Sequence, residues 1–147
     1  MPQSLIKIIV HIVFSTKDRR PLIPPDFEDE LFAYITGIVR NNNAKLIIAN
    51  GIADHVHLLI SAGRLDIPTL VGDIKRSTSL WMKKKGVRDF YWQAGYGAFS
   101  IGEAQIPAVR DYIARQKEHH QKRDYKDELR VICQRYNVDI DERYVWD

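Results

Sequence analysis

His55 and His57 stand two residues apart in the run Asp54-His55-Val56-His57-Leu58-Leu59-Ile60. The run is apolar and partly β-branched, which predicts a strand. Side chains alternate across a strand, so both imidazoles share one face and Val56, Leu58 and Ile60 share the other. Two neutral imidazoles on one rigid face can chelate a divalent cation. Two ordinary histidines on the wet face of a half-buried strand would give the same pattern. Asp54 adjoins the pair, placed to support a histidine or the turn before it.

A second group lies downstream. Tyr112, Gln116 and His120 are spaced by four, which lines them along one helical face. His119 is close to that face, and Ile106, Val109 and Ile113 form a narrow apolar stripe. A tyrosine therefore stands beside a ladder of candidate ligands. The alternative is that Tyr112 packs amphipathically and the rest face solvent.

The elements that must position these groups follow from periodicity and punctuation. Residues 4–15 read as a strand, and Pro21, Pro24 and Pro25 mark the loop after it. Phe27, Leu31, Ile35 and Ile38 recur at helical spacing over 26–41, and Asn41-Asn42-Asn43 ends that helix. A strand over 44–52 turns directly into the histidine strand over 54–62, so the two are antiparallel neighbours. A loop at 63–68 leads to a helix over 68–85, with Leu70, Ile74, Ser77, Trp81 and Met82 on its inner side and Gly86 closing it. Residues 90–101 read as a fourth strand, with Gly95 and Gly97 marking a bulge or close approach. A third helix starts at Pro107 and runs to about 122. A last helix over 125–136 precedes an extended tail.

The order is β-α-β-β-α-β followed by added helices. This is the α+β ferredoxin-like, split βαβ arrangement of an antiparallel sheet, with the tyrosine on an added helix. The chain reads as a single domain over 1–147. Its core covers about 4–101, the tyrosine helix about 104–122, and the last helix and tail about 125–147. This fold hosts many functions, so function must come from the site.

Composition bounds the rest. The chain has 147 residues, 45% of them hydrophobic and 28% charged, as in a globular domain with its own core. No run approaches the ~20 apolar residues of a membrane span, and no secretory signal is expected. Cys133 is the one cysteine, so no intrachain disulfide or cysteine cluster forms, and a cytoplasmic setting is expected. No GxxxxGK[ST] loop is present, so no nucleotide cofactor is expected. The net charge is +3. Basic residues gather in three groups: Lys17, Arg19 and Arg20; Lys75, Arg76, Lys83, Lys84, Lys85 and Arg88; and Arg110, Arg115, Lys117, Lys122 and Arg123. Trp81, Tyr91, Trp92 and Tyr96 interleave with them, a pattern that suits a polyanion.

Several of these segments together resemble the single-tyrosine HUH transposases of the insertion-sequence 200/605 family. The HUH signature is histidine, hydrophobic residue, histidine, here His55-Val56-His57. The opening HIVFSTKDRRPLI, the WQAGYGAFSIG stretch, YIARQKEHH and the closing DERYVWD extend the resemblance over nearly the whole chain. HUH alone is a weak pattern; HUH on the third strand with Tyr-x-x-x-Gln on a late helix is specific.

The resemblance implies a mechanism. His55, His57 and the side-chain oxygen of Gln116 would hold Mg²⁺ or Mn²⁺, and His119 or His120 would serve as base or extra ligand. Tyr112 would attack the scissile phosphate, leaving a 5′-phosphotyrosine and a free 3′-hydroxyl. The substrate would be single-stranded DNA with hairpins, contacted through phosphates by Lys17, Arg19, Arg20, Lys75, Arg76, Lys83, Lys84 and Arg88. Trp92 and Tyr96 could stack on bases, although core packing suits Trp92 better. His11 reads as structural. A homodimer is implied, with the site completed in cis or in trans. Three other readings stay open. One is a domesticated, repeat-associated relative acting on chromosomal palindromes. Another is a ferredoxin-like nucleic-acid-binding module without catalysis. The last is a replication-initiator nickase, whose usual lysine is replaced here by Arg115. The tail from about 125 would pack as a helix and a strand-like cover of a sheet edge, or serve a dimer contact.

Overall fold

A computed structural model describes residues 2–64, 66–120 and 122–147. Leu65, in the predicted loop at 63–68, and Gln121, at the predicted end of the third helix, lie outside the described residues. Four strands, β1 (Ile8–Ser15), β2 (Ala44–Ile52), β3 (His55–Ala62) and β4 (Gly97–Ile101), form one antiparallel sheet in the order β2-β3-β1-β4. Helices α1 (Glu28–Asn41) and α2 (Ile67–Lys84) are the crossovers of the split βαβ core. Helices α3 (Ile106–Ala114), α4 (Gln116–His119) and α5 (Tyr125–Arg135) follow it. The β-α-β-β-α-β order with added C-terminal helices is therefore present.

The two central strands are buried on both faces, which explains their near-continuous apolar sequences. On one face Val10, Ile12, Phe14, Val56, Leu58 and Ile60 pack against Leu31, Ile35 and Val39 of α1 and Leu70, Ile74 and Met82 of α2. The opposite face carries Ile9, His11, Val13, His57 and Leu59 and is covered by α3 and α5. The histidine face is thus dry: His55 and His57 are fully buried. Val13 sits opposite His57 and Ser15 opposite His55 in the β1–β3 register, which fixes where the imidazoles emerge.

Several elements differ from the sequence expectation. Strand β1 begins at Ile8, not near residue 4; residues 2–7 are exposed and irregular. The predicted strand at 90–101 is a strand only from Gly97. Upstream of it Phe90 is buried and Trp92 packs edge-on against Phe14, so side-chain anchoring makes this stretch look strand-like. Its backbone meets the end of β1 at the Thr16–Trp92 bridge, made by the Gln93 N–H to the Ser15 carbonyl and the Lys17 N–H to the Tyr91 carbonyl.

The predicted third helix breaks at Arg115 (φ −99°, ψ 22°), which separates α3 from α4. The Asn50 amide donates to the carbonyls of Ile113 and Ala114 at 3.0 and 3.1 Å, satisfying acceptors that the break frees. The tail beyond α5 is irregular and turn-like, not strand-like. Ile140, Val145 and Trp146 pack it onto the cluster around Val13, Phe99 and Tyr125, and the Asp147 carbonyl accepts from the Gly95 N–H at 2.9 Å. Among the described residues no helix is long and apolar enough to cross a membrane.

Candidate active site

The site lies between the histidine face of β3 and the three C-terminal helices. A two-residue turn, Ala53-Asp54, joins β2 to β3 and places Ile52 opposite His55. Asp54 Oδ1 is 2.7 Å from His55 Nδ1. His11, on the adjacent strand, sets its Nε2 2.8 Å from His57 Nδ1. The Nδ1 atoms of both histidines are therefore engaged outward, and both Nε2 atoms face the helices.

Two side chains, Gln116 and Glu128, contact those Nε2 atoms directly, and through them His120 and Tyr112 join the cluster. Gln116 is fully buried, with Oε1 3.1 Å from His55 Nε2 and 3.1 Å from His120 Nε2. Glu128, from α5, places Oε1 at 2.8 Å from His57 Nε2, 3.2 Å from His120 Nε2 and 3.4 Å from His55 Nε2. Its second oxygen, Oε2, accepts from the Gln116 amide at 3.2 Å and from the Tyr112 hydroxyl. Tyr112 also lies near the His57 ring, 6.0 Å between centroids. Tyrosine, histidines and glutamine thus converge within one chain.

The adjacent histidines take different places. His120 joins the cluster. His119 instead stacks on the Tyr112 ring, with centroids 4.5 Å apart and planes at 26°, and its Nε2 is buried with no hydrogen-bond partner among the described residues.

Electrostatics follow from burial. Desolvation pulls His57 down to about 4 despite the Glu128 carboxylate beside it. Burial and then the nearby His57 bring His11 to about 3. Burial also opposes charge on His55, yet hydrogen bonding to Asp54 and Glu128 raises it to about 9. Burial would lift Glu128, but His120, His55 and His57 hold its carboxyl well below the usual range. Burial, and then the Glu128 charge, push the Tyr112 phenol above its ordinary value.

The donor set fits a metal ion. His55, His57, His120 and Glu128 each offer one ligand atom, all within 4.8 Å of one another. The outward Nδ1 contacts fix the orientation that leaves Nε2 for coordination. Such a cluster is capable of holding a divalent cation.

The sequence named both HUH histidines, Tyr112, Gln116 and the pair His119–His120, and the structure brings His55, His57, Tyr112, Gln116 and His120 together. Glu128 was not anticipated. A signal existed: Tyr125, Glu128, Leu129 and Ile132 fall at i, i+3, i+4 and i+7, so a carboxylate occupies a core-stripe position of α5.

The basic residues divide. Lys75 does not face outward: its ammonium donates to the carbonyls of Gln93, Ala94 and Gly95 at 2.8, 3.2 and 2.7 Å, and burial lowers it to about 8. Arg19 donates to the Trp146 carbonyl at 2.6 Å, Arg20 pairs with Asp89, and Arg76 pairs with Asp73. Lys83 lies over the Tyr91 ring. Lys17, Lys84 and Arg88 are exposed. A groove of about 700 Å³ opens at Tyr112; Glu118, His119 and Glu128 lie in its wall, and so do four cations, Arg115, Lys122, Arg123 and Arg135. Three of these four belong to the third basic group of the sequence; Arg135 was not anticipated.

A ferredoxin-like sheet that presents histidine–hydrophobic–histidine beneath a helix-borne tyrosine defines an HUH-type protein. The family model described as "Transposase IS200 like" matches residues 4–116, and the chain belongs to this single-tyrosine insertion-sequence 200/605 family. It is similar to the "Transposase for insertion sequence element IS200" of Salmonella typhimurium (strain LT2), 25% identical over 116 residues, covering 74% of this chain and 76% of the relative. The protein of the same description from Salmonella typhi gives the same identity and coverage. Two solved structures share the fold. One is a candidate transposase from Deinococcus radiodurans R1, with TM-score 0.63 and 22% identity, covering 79% of this chain and 95% of that one. The other is a REP-associated tyrosine transposase bound to a REP hairpin, with TM-score 0.62 and 18% identity, covering 82% of this chain and 73% of that one.

Proposed function

We propose that the protein cuts and rejoins single-stranded DNA, with Tyr112 as nucleophile and a metal ion held by His55, His57 and Gln116. The observation that carries this reading is the convergence of the Tyr112 hydroxyl with the HUH imidazoles and Gln116 in one buried cluster. The bound metal would neutralise and orient the scissile phosphate. A mixed nitrogen–oxygen donor set suits Mn²⁺ better than Mg²⁺, which prefers oxygen ligands throughout.

The chain's own residues supply the rest. At its ordinary pKa only about 0.1% of a tyrosine is phenolate at pH 7. The Tyr112 phenol sits above that value, so its proton must leave as attack proceeds. The Tyr112 oxygen–phosphorus bond forms and the phosphorus–O3′ bond breaks. The phenolic proton passes out along its hydrogen bond, and the departing oxygen takes up a proton to become a 3′-hydroxyl. Rejoining is the reverse, with a 3′-hydroxyl attacking the phosphotyrosine. One phosphodiester is exchanged for another, so no nucleotide is consumed. The groove lined by Arg115, Lys122, Arg123 and Arg135 leads a polyanionic strand to the tyrosine. Lys17, Lys84 and Arg88 are free to hold flanking phosphates.

A second reading keeps the same chemistry on chromosomal palindromes. It draws on the fold shared with the hairpin-bound REP-associated transposase. Cleavage of hairpin-bearing oligonucleotides, labelled at either end, tests both. Wild type with Mn²⁺ should release a 3′-hydroxyl fragment, and His57→Ala should not. Cleavage confined to hairpins from flanking element ends would favour mobility; cleavage of scattered genomic palindromes would favour the second reading. Metal-independent cleavage, or equal cleavage by His57→Ala, would contradict the proposed site.

A further inference from the structure

Among the described residues, Glu128 is the one carboxylate that touches both halves of the site. It lies in α5, beyond residue 116, where the match to the family model ends. It is 2% exposed, and a carboxylate so buried is costly unless fully partnered. Its partners split by oxygen atom. Oε1 faces the three Nε2 atoms of His55, His57 and His120; Oε2 receives the Tyr112 hydroxyl and the Gln116 amide.

We propose that Glu128 is a shared carboxylate: Oε1 is a metal ligand beside the HUH histidines, and Oε2 holds the Tyr112 hydroxyl against that metal. This rests on the nuclease reading above and deepens it. The geometry favours it over a purely structural ion pair. One histidine would suffice to neutralise a buried carboxylate, yet three imidazoles aim ring nitrogens at the same oxygen. The second oxygen is spent on the nucleophile rather than on a backbone amide.

The supporting helix is built to aim it. Asp124 caps α5 through the Asp127 N–H at 2.9 Å. Leu129, Ile132 and Cys133 anchor the helix on Val13 and Phe99. Glu128 is therefore held by packing, and a single side chain sets the placement of nucleophile and metal relative to each other. Glu128 acts on the reaction as a metal ligand and as a positioning residue for Tyr112.

The test measures metal binding and the state of Tyr112 without using turnover. Mn²⁺ affinity is measured by electron paramagnetic resonance for wild type, Glu128→Gln and Tyr112→Phe. The ring-carbon resonance of ¹³C-labelled Tyr112 is then followed as diamagnetic Mg²⁺ is added to saturation. Glu128→Gln should bind Mn²⁺ at least about tenfold more weakly than wild type. Tyr112→Phe should stay within about threefold of wild type. Mg²⁺ should shift the Tyr112 resonance in wild type and leave it unmoved in Glu128→Gln.

Equal Mn²⁺ affinity in wild type and Glu128→Gln would overturn the proposal. So would a Tyr112 shift that persists in the Mg²⁺-saturated variant. If Glu128→Gln does not fold, Glu128→Asp replaces it. That variant keeps the charge but is one methylene short of bridging both partners, so the same two losses are expected and wild-type behaviour would overturn the proposal. Absence of Mn²⁺ binding by wild type would instead remove the metal reading itself, and this inference with it.

Discussion

Nε2 of His11 stands 2.8 Å from Nδ1 of His57, across the β1–β3 pair, with the two rings stacked 5.1 Å apart. In the metal-free protein the Nε2–H of His57 is taken by the Glu128 carboxylate; with a metal on that Nε2, the proton would sit on Nδ1 and be donated to Nε2 of His11, which burial keeps from protonating. The His11 contact thus supports the tautomer of His57 whose Nε2 is open to a metal. His11→Ala is therefore expected to weaken Mn²⁺ binding by about 10–100-fold, the usual range for loss of a ligand's hydrogen-bonded support. Calorimetric titration would show it; an unchanged affinity would mean that His57 is oriented by packing alone.

Stability of the metal-free protein should fall on both sides of neutrality. His57 and His11 have folded values of about 4 and about 3, below the unfolded 6.5. As pH falls from 6.5 the unfolded chain takes up protons that these two refuse, so stability is lost down to about 3. His55 is the opposite case, raised to about 9. Its contribution is full below 6.5 and is lost as pH rises through 9. Urea melts in chelator from pH 4 to 9.5 should show a maximum near neutral pH. A monotonic profile across that range would contradict these assignments.

Gly51 permits the hairpin that delivers His55. A Cβ there would stand 2.2 Å from the His55 carbonyl oxygen and 3.0 Å from Val56 Cα. Backbone cannot yield as a flexible side chain does, so Gly51→Ala should cost about 1–3 kcal/mol, as overpacking does. Metal affinity should drop with it, because β2 and β3 must separate where His55 is placed. Thermal melts with and without Mn²⁺ would measure both effects.

Lys75 and the exposed pair Lys84 and Arg88 should part company. Lys75→Ala leaves three carbonyls of the 93–95 segment without their donor, and should cost about 1–3 kcal/mol of stability. Lys84→Ala with Arg88→Ala should leave stability within about 0.5 kcal/mol. The double variant should instead lower the salt slope of single-strand binding by about 0.7 per lost phosphate contact. A salt slope equal to wild type would remove Lys84 and Arg88 from the DNA path.

Legibility in the sequence followed the range of the interaction. The alternation in DHVHLLI gave the face shared by His55 and His57, because strand periodicity is local. Four-residue spacing grouped Tyr112, Gln116 and His120, although the break at Arg115 made the real path a bent one. The same spacing set His120 on that face and His119 beside it, and His119 turns instead onto the Tyr112 ring. Glu128 reaches the site from a different helix, and Lys75 is captured by a loop about twenty residues away, so neither role had a spacing to announce it. The stretch before Gly97 misled because Phe90 and Trp92 are apolar for core packing rather than for a strand ladder. The tail misled similarly: its alternation serves Ile140, Val145 and Trp146 packing onto α5, without a strand partner.

The central claim is that Tyr112 becomes covalently joined to DNA. Wild-type protein would be incubated with Mn²⁺ and a cleavable single strand, quenched in denaturant, digested, and the modified peptide sequenced by mass spectrometry. The expected result is a 5′-phosphonucleotide on Tyr112, absent without metal and absent from Tyr112→Phe. Cleavage with no protein–DNA adduct, or an adduct on another residue, would contradict it.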